Sequence, residues 1–175
     1  MQAAAGDYFK ALARPVRRAG FEHSGPPAAP SKPNARNAEQ RGQTMQIKLT
    51  GIFVDDQDKA LKFYTDVLGF QKKHEFPAGK HKWLTVVSPE EPEGVQLVLE
   101  PNDGWNTAAK AYQQEIFRNG TIAANFFVAD VQKEYDRLKG LGVAFTKQPT
   151  KTTGSTIAVF DDTCGNLIQI THLDW

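Results

Sequence analysis

The chain has 175 residues, enough for one domain with a real core and generous for two. Its net charge is +1, no apolar run approaches the roughly 18 residues of a membrane helix, and no charged start followed by an apolar stretch marks a secretory signal. A soluble, cytoplasmic protein without a membrane partner is expected. The single cysteine, Cys164, excludes an internal disulfide framework and a cysteine-only zinc site.

Residues 1–44 carry seven Lys/Arg against three Asp/Glu, with Ala, Pro, Gly and Asn filling much of the rest. Such a composition buries too little apolar surface to offset the entropy of ordering a backbone, so a disordered basic tail is expected. Tyr8, Phe9, Leu12 and Val16 would put one apolar stripe on a short basic helix over Asp7 to Arg18. An Arg-rich, acid-poor leader also suits an organelle transit peptide, though Ser24 and Ser31 are its only serines. Met45, just before the first strand pattern, reads equally well as an initiator. From Met45 onward the balance reverses to fourteen Lys/Arg against seventeen Asp/Glu, which argues against nucleic acid as a partner.

The folded part, 45–175, contains an internal repeat. Phe53-Val54-Asp55-Asp56 returns as Phe127-Val128-Ala129-Asp130, each at the end of an apolar run and before a helical pattern. The first helix shows Ala60, Leu61, Tyr64, Val67 and Leu68; the second shows Val131, Tyr135 and Leu138. Asp56 and Asp130 are placed to cap these helices, and Gly69 and Gly142 to end them. Strand-like runs follow each helix: Phe70 to Phe76, Lys82 to Ser88 and Gly94 to Glu100, then Val143 to Lys147, Ser155 to Phe160 and Asn166 to His172. Between the halves, Ala108, Ala111, Tyr112 and Ile116 predict a crossover helix stopping at Asn119-Gly120. Two modules, about 45–119 and 120–175, thus read strand, helix, strand, strand, strand, and neither is large enough to bury its faces alone.

Residues 45–70, with Phe53-Val54-Asp55-Asp56 and the closing Phe63-Tyr64-Thr65-Asp66-Val67-Leu68-Gly69-Phe70, resemble the opening of a vicinal oxygen chelate domain, the glyoxalase, bleomycin-resistance and extradiol-dioxygenase superfamily. Asp161-Asp162-Thr163-Cys164-Gly165-Asn166 is similar to that superfamily's Asp-Pro-Asp-Gly-Asn hairpin. The resemblance implies an α+β fold of two βαβββ modules forming a curved eight-stranded mixed sheet, a glyoxalase-like cup for a ligand or metal. Both motifs are structural, so they speak for the fold more than for any reaction.

In metal-binding members, ligands come from the first and last strands of each module. Seven residues before Asp56 and Asp130 stand Leu49 and Ala123, which cannot coordinate, and neither Met45 to Val54 nor Gly120 to Ala129 contains a His, Asp, Glu or Cys. Three residues after Asn166, where the family often has Glu, stands the weak ligand Gln169; the fourth strand retains Glu100. No cofactor, and in particular no divalent metal, is therefore expected. Glu100, Gln169 and Trp83 are the candidate pocket residues, with a strand-end Glu also readable as a solvated residue and Trp83 as a packing residue. No catalytic residue is assigned. His74, His172 and His81, the last in a loop, are the other titrating candidates, and Cys164 in its turn has no neighbouring base. Lys151 to Thr156 lacks the spacing of a phosphate loop. Trp105 reads as loop packing. The expectation is a small-molecule-binding protein, with a homodimer possible and the acidity of the domain suiting a cationic ligand. The alternatives are a divergent lyase, dioxygenase or thiol transferase, or an interaction module.

Overall fold

The short carboxylate of Asp56 starts the first helix. Strand β1, Leu49–Val54, leads to Asp56 in an extended conformation (φ −147°), and its Oδ1 accepts from the backbone N–H of Asp58 (2.9 Å) and Lys59 (3.0 Å). Helix α1, Gln57–Lys62, widens into a π-helical turn over Phe63–Val67, closed by the Leu68 N–H on the Phe63 carbonyl, and adjacent Phe63 and Tyr64 are both buried. Strands β2 (Gln71–Ala78), β3 (His81–Val87) and β4 (Gln96–Pro101) complete the module, and α2, Ala109–Arg118, crosses to the next. There β5 (Ile122–Phe127) leads to Asp130 (φ −151°), which accepts from the Lys133 N–H at 3.0 Å and starts α3, Val131–Gly140. Strands β6 (Phe145–Thr152), β7 (Ser155–Asp161) and β8 (Leu167–Leu173) follow. The two aspartates thus occupy equivalent helix starts. This computed structural model describes residues 45–104 and 107–175; the expected tail, its basic helix and Trp105 lie outside the described residues.

Each module is a mixed four-stranded sheet, ordered β1-β4-β3-β2 and β5-β8-β7-β6, with the first pair parallel and the others antiparallel. The eight strands therefore form two hydrogen-bonded sheets of four, not one continuous ladder. The backbone at the end of β1 is occupied by other groups. The Phe53 carbonyl accepts from Gln113 Nε2 (2.7 Å) and Asn166 Nδ2 (2.8 Å), and the Asp55 N–H donates to the Cys164 carbonyl.

One core serves both modules. Ile52 and Val54 of β1, Leu84 and Val86 of β3, and Leu97 and Leu99 of β4 join Ala158, Phe160, Ile168 and Ile170 of the second sheet, with Tyr64 and Leu138 from the helices. Aromatic contacts cross between the modules: Phe63 lies 6.3 Å from Phe160, and Phe70 lies 5.1 Å edge-on from Phe126. Because strand side chains alternate, the residues between these core positions point away from it, giving each sheet a second, outward face.

The crossover helix forms where expected but buries a different stripe. Ala109 and Gln113 are buried and Ile116 half-buried, whereas Ala108, Ala111 and Tyr112 are exposed. Gln113 displaces the apolar stripe because its amide satisfies buried carbonyls that no alkyl group could serve. Tyr112 rests edge-on against Phe53, 6.4 Å between centroids. His81, expected in a loop, instead opens β3.

Candidate functional site

The outward face of the first module is built by a separation of strands. β3 and β4 are paired only at Thr85–Val98 and Val86–Leu97, and then diverge. On the core side the unpaired backbone is taken up by Gln57. Its Nε2 donates to the carbonyls of Lys82 and Leu99 (both 2.8 Å), and its Oε1 accepts from the Lys82 N–H at 3.0 Å. The divergence leaves a cavity of about 80 Å3 lined by Leu49, Trp83, Val98, Glu100 and the neighbouring backbone. Trp83 stacks on its cross-strand partner Phe76, 6.2 Å apart and 12° from parallel, and His74 continues the row at 6.4 Å.

Glu100 lies on this face. It is in register with Phe53, and its carboxylate spreads over Gly51 so closely that a Cβ there would collide with Oε1. Half-buried, its carboxylate makes no hydrogen bond or ion pair with any described residue. Nearby Lys82 is engaged elsewhere, by Asp58 at 2.6 Å and Glu75 at 3.0 Å, and those two carboxylates hold its ammonium above the ordinary lysine range.

Gln169 occupies the outward face of the second module, in register with Asn125 and Val159. Its Nε2 donates to Thr171 Oγ1 (3.0 Å), which donates to Asn125 Oδ1 (2.7 Å). This short chain fixes both amides and leaves Gln169 Oε1 and Asn125 Nδ2 without a partner among the described residues. Glu100 and Trp83 therefore share one cavity, while Gln169 stands on the other sheet. The register also shows that Glu100 and Gln169 are not counterparts. Phe53 pairs with Glu100 and Phe127 with Thr171, so Thr171 corresponds to Glu100; Gly51 pairs with Val98 and Asn125 with Gln169, so Val98 corresponds to Gln169.

Those correspondences bear on metal chemistry. The ligand positions that the superfamily resemblance implies hold Leu49, Ala123 and Gln169, with one neutral amide oxygen among them; the register puts Val98 at the first-module counterpart of Gln169, and the fourth strand's carboxylate, Glu100, two residues further on. A tight divalent-ion site needs several converging nitrogen, sulfur or charged oxygen donors. Among the described residues, no group of three or more His, Cys, Asp or Glu stands close enough to hold one.

The remaining candidates are scattered. His74 is exposed on β2, His172 Nδ1 lies 3.3 Å from the Val128 carbonyl, and His81 Nε2 is 3.4 Å from Asp103. Lys151 to Thr156 forms a polar hairpin, tied by Thr152 and Ser155 at 2.7 Å. Cys164 is fully buried, and burial pushes its thiol up to about 12, so little thiolate exists near neutral pH. Native protein is expected to leave Cys164 unmodified by an aromatic disulfide reagent over minutes, with one thiol per chain appearing in denaturant. Rapid labelling of the native chain would contradict this.

Gln57, Gly51 and Asn125 were not singled out by sequence. A glycine inside a strand can signal a close approach, and an asparagine inside the apolar run Ile122 to Val128 an unusual partner, but neither says which atom lies opposite.

The model of the Glyoxalase/Bleomycin resistance protein/Dioxygenase superfamily matches residues 46–170. The uncharacterized protein YurT of Bacillus subtilis (strain 168) is 60% identical over 126 residues, spanning 72% of this chain and 98% of its own length. Among solved structures, UcmS2 is similar at 30% identity with a TM-score of 0.65, over 76% of this chain and 100% of that one. TnmS3, an antibiotic binding protein from Streptomyces sp. CB03234, is similar in fold at 24% identity with a TM-score of 0.58, over 76% of this chain and 99% of its own. With two βαβββ modules, paired aspartate caps and this match over most of its length, the chain belongs to the glyoxalase, bleomycin-resistance and dioxygenase superfamily.

Proposed function

We propose that this protein binds a small organic molecule on its outward sheet faces and works without a metal ion, as a cytoplasmic sequestering protein of the bleomycin-resistance kind. The observation that carries this reading is the lining of those faces. Stacked aromatic rings and apolar side chains border Glu100 on one sheet, and the hydrogen-bonded Gln169-Thr171-Asn125 chain presents fixed amides on the other. Largely apolar surfaces with a small number of oriented polar anchors are the common form of small-molecule sites. The antibiotic-binding neighbour of the same fold supports the ligand class.

A single chain offers two half-cups facing away from a common core. Leu49, Phe76 and Phe127 stand 42%, 51% and 65% exposed on these faces, an apolar surface that a second copy would cover. A homodimer in which the first module of one protomer faces the second module of the other unites Trp83 and Glu100 with the partner's Gln169.

A thermal-shift screen of antibiotics and metabolites tests the reading. A ligand at 100 times its dissociation constant stabilises the fold by about 2.7 kcal/mol, and that gain should disappear in Trp83→Ala and in Gln169→Ala. Heterodimers mixed from these two variants should regain one intact cup if it spans two chains, and none if it lies within one. The absence of any ligand sensitive to either substitution would leave the interaction-module alternative ahead.

A further inference from the structure

We infer that the pocket takes an organic cation, with Glu100 as the charge partner of its ammonium or guanidinium group and the Phe76–Trp83 stack as the platform for its apolar part. The inference rests on the binding role proposed above and adds the chemical class of the ligand. Three independent features meet at this point. The first is a carboxylate that is half-buried yet unpaired among the described residues, beside a cavity whose one lysine, Lys82, is already held by two other carboxylates. Half-burying a carboxylate without a partner is unfavourable, and a ligand cation is the group that would reverse this.

The second feature is Gly51. Any side chain on this residue would occupy the space in which the Glu100 carboxylate lies, so glycine on β1 lets the carboxylate fold down against the sheet and border the cavity. A longer or mobile acid reaching into solvent would need no such cradle. The third is the divergence of β3 from β4, with Gln57 saturating the backbone on the core side. The resulting cavity of about 80 Å3 lies between Trp83 and Glu100. It admits a head group, not a whole ligand, and so places the charged end of a larger molecule there. The stacked rings of Phe76 and Trp83 then present π-faces, which attract cations and planar cationic rings alike. An anion would meet the Glu100 carboxylate instead and be repelled.

Fluorescence titrations of the full-length chain with ethidium, a planar organic cation, and with uncharged N-phenyl-1-naphthylamine separate charge from apolar binding. Glu100→Gln should weaken ethidium about tenfold or more, as expected for removing a charge-assisted contact, and leave the uncharged dye unchanged. Gly51→Ala should act in the same direction by displacing the carboxylate. Since the Glu100 carboxylate makes no hydrogen bond or ion pair with a described residue, Glu100→Gln should melt at the temperature of the parent, which confirms an intact fold. Equal ethidium affinity in the parent and Glu100→Gln overturns the inference. If Trp83→Ala loses both dyes while Glu100→Gln loses neither, the cup reading stands and the cation reading fails. If the parent binds neither dye, both fail.

Discussion

Asp162→Ala should lower the unfolding free energy by about 3–5 kcal/mol, the range for breaking a buried charged network. Asp162 is fully buried beneath the last turn, and both carboxylate oxygens are used. Oδ1 accepts from the backbone N–H of Cys164 (2.8 Å) and Asn166 (2.9 Å), and Oδ2 from Asn166 Nδ2 (2.8 Å) and Tyr64 OH (3.0 Å). Truncation would strand four donors, one of them on Tyr64 in the middle of the shared core. Urea denaturation of the two proteins measures the difference; a change below about 1 kcal/mol, the worth of one ordinary hydrogen bond, would show that the network is dispensable.

The same residue has a pH signature. Burial, the largest influence, raises the Asp162 carboxyl above its ordinary value of 3.8 despite these four bonds. The folded state therefore holds its proton more tightly than the unfolded state. The contribution to stability is full below the ordinary value and is lost as pH rises through the folded value. Asp162→Asn removes the titration, keeps an acceptor for the two backbone N–H groups and should cost less than alanine. Its deficit relative to the parent should shrink as pH rises through that window. Taking the difference between the two proteins cancels the exposed carboxylates such as Asp56, Glu75 and Glu93. These shift the other way: backbone hydrogen bonds in Asp56 and lysine hydrogen bonds in the two glutamates lower their values.

Gln113→Glu should also cost about 3–5 kcal/mol at neutral pH, more than the about 2–3 kcal/mol of Gln113→Ala. Gln113 is 2% exposed, and its Nε2 faces three acceptors: the Phe53 carbonyl (2.7 Å), the Cys164 carbonyl (3.0 Å) and Asn166 Oδ1 (3.1 Å). Its Oε1 accepts from Asn102 Nδ2 at 2.8 Å. Alanine leaves these groups unpaired, whereas a carboxylate of nearly the same shape adds a buried charge opposite three oxygens. The glutamate variant should recover part of its stability toward acidic pH, because a protonated carboxyl can donate one bond. Equal stability of Gln113→Glu and the parent at neutral pH would mean that the amide faces water. Gly165 belongs to this junction as well. Its backbone has φ 96°, and a Cβ there would stand 2.9 Å from Gln113 Nε2, so the turn requires glycine both for its conformation and for the approach of the amide.

The sequence by itself determined the modules. Asp56 and Asp130 cap their helices through bonds to residues two or three positions on, and Val131, Tyr135 and Leu138 share a face by helical period alone. These are local relations, and a repeated local pattern is visible in one dimension. The closing turn was equally legible, since Asp162 organises Cys164 and Asn166 within four residues. Only the tertiary structure decided that Gln113 and not Tyr112 faces inward, because the reason lies in carbonyls 60 and 51 residues away. It also decided that Glu100 corresponds to Thr171 and not to Gln169, that β3 and β4 part over Gln57, and that Gly51 lies beneath a carboxylate. Strand alternation says which side chains share a face but not which residue of a distant strand lies beside them, and one step of register moves a carboxylate from one neighbour to the next.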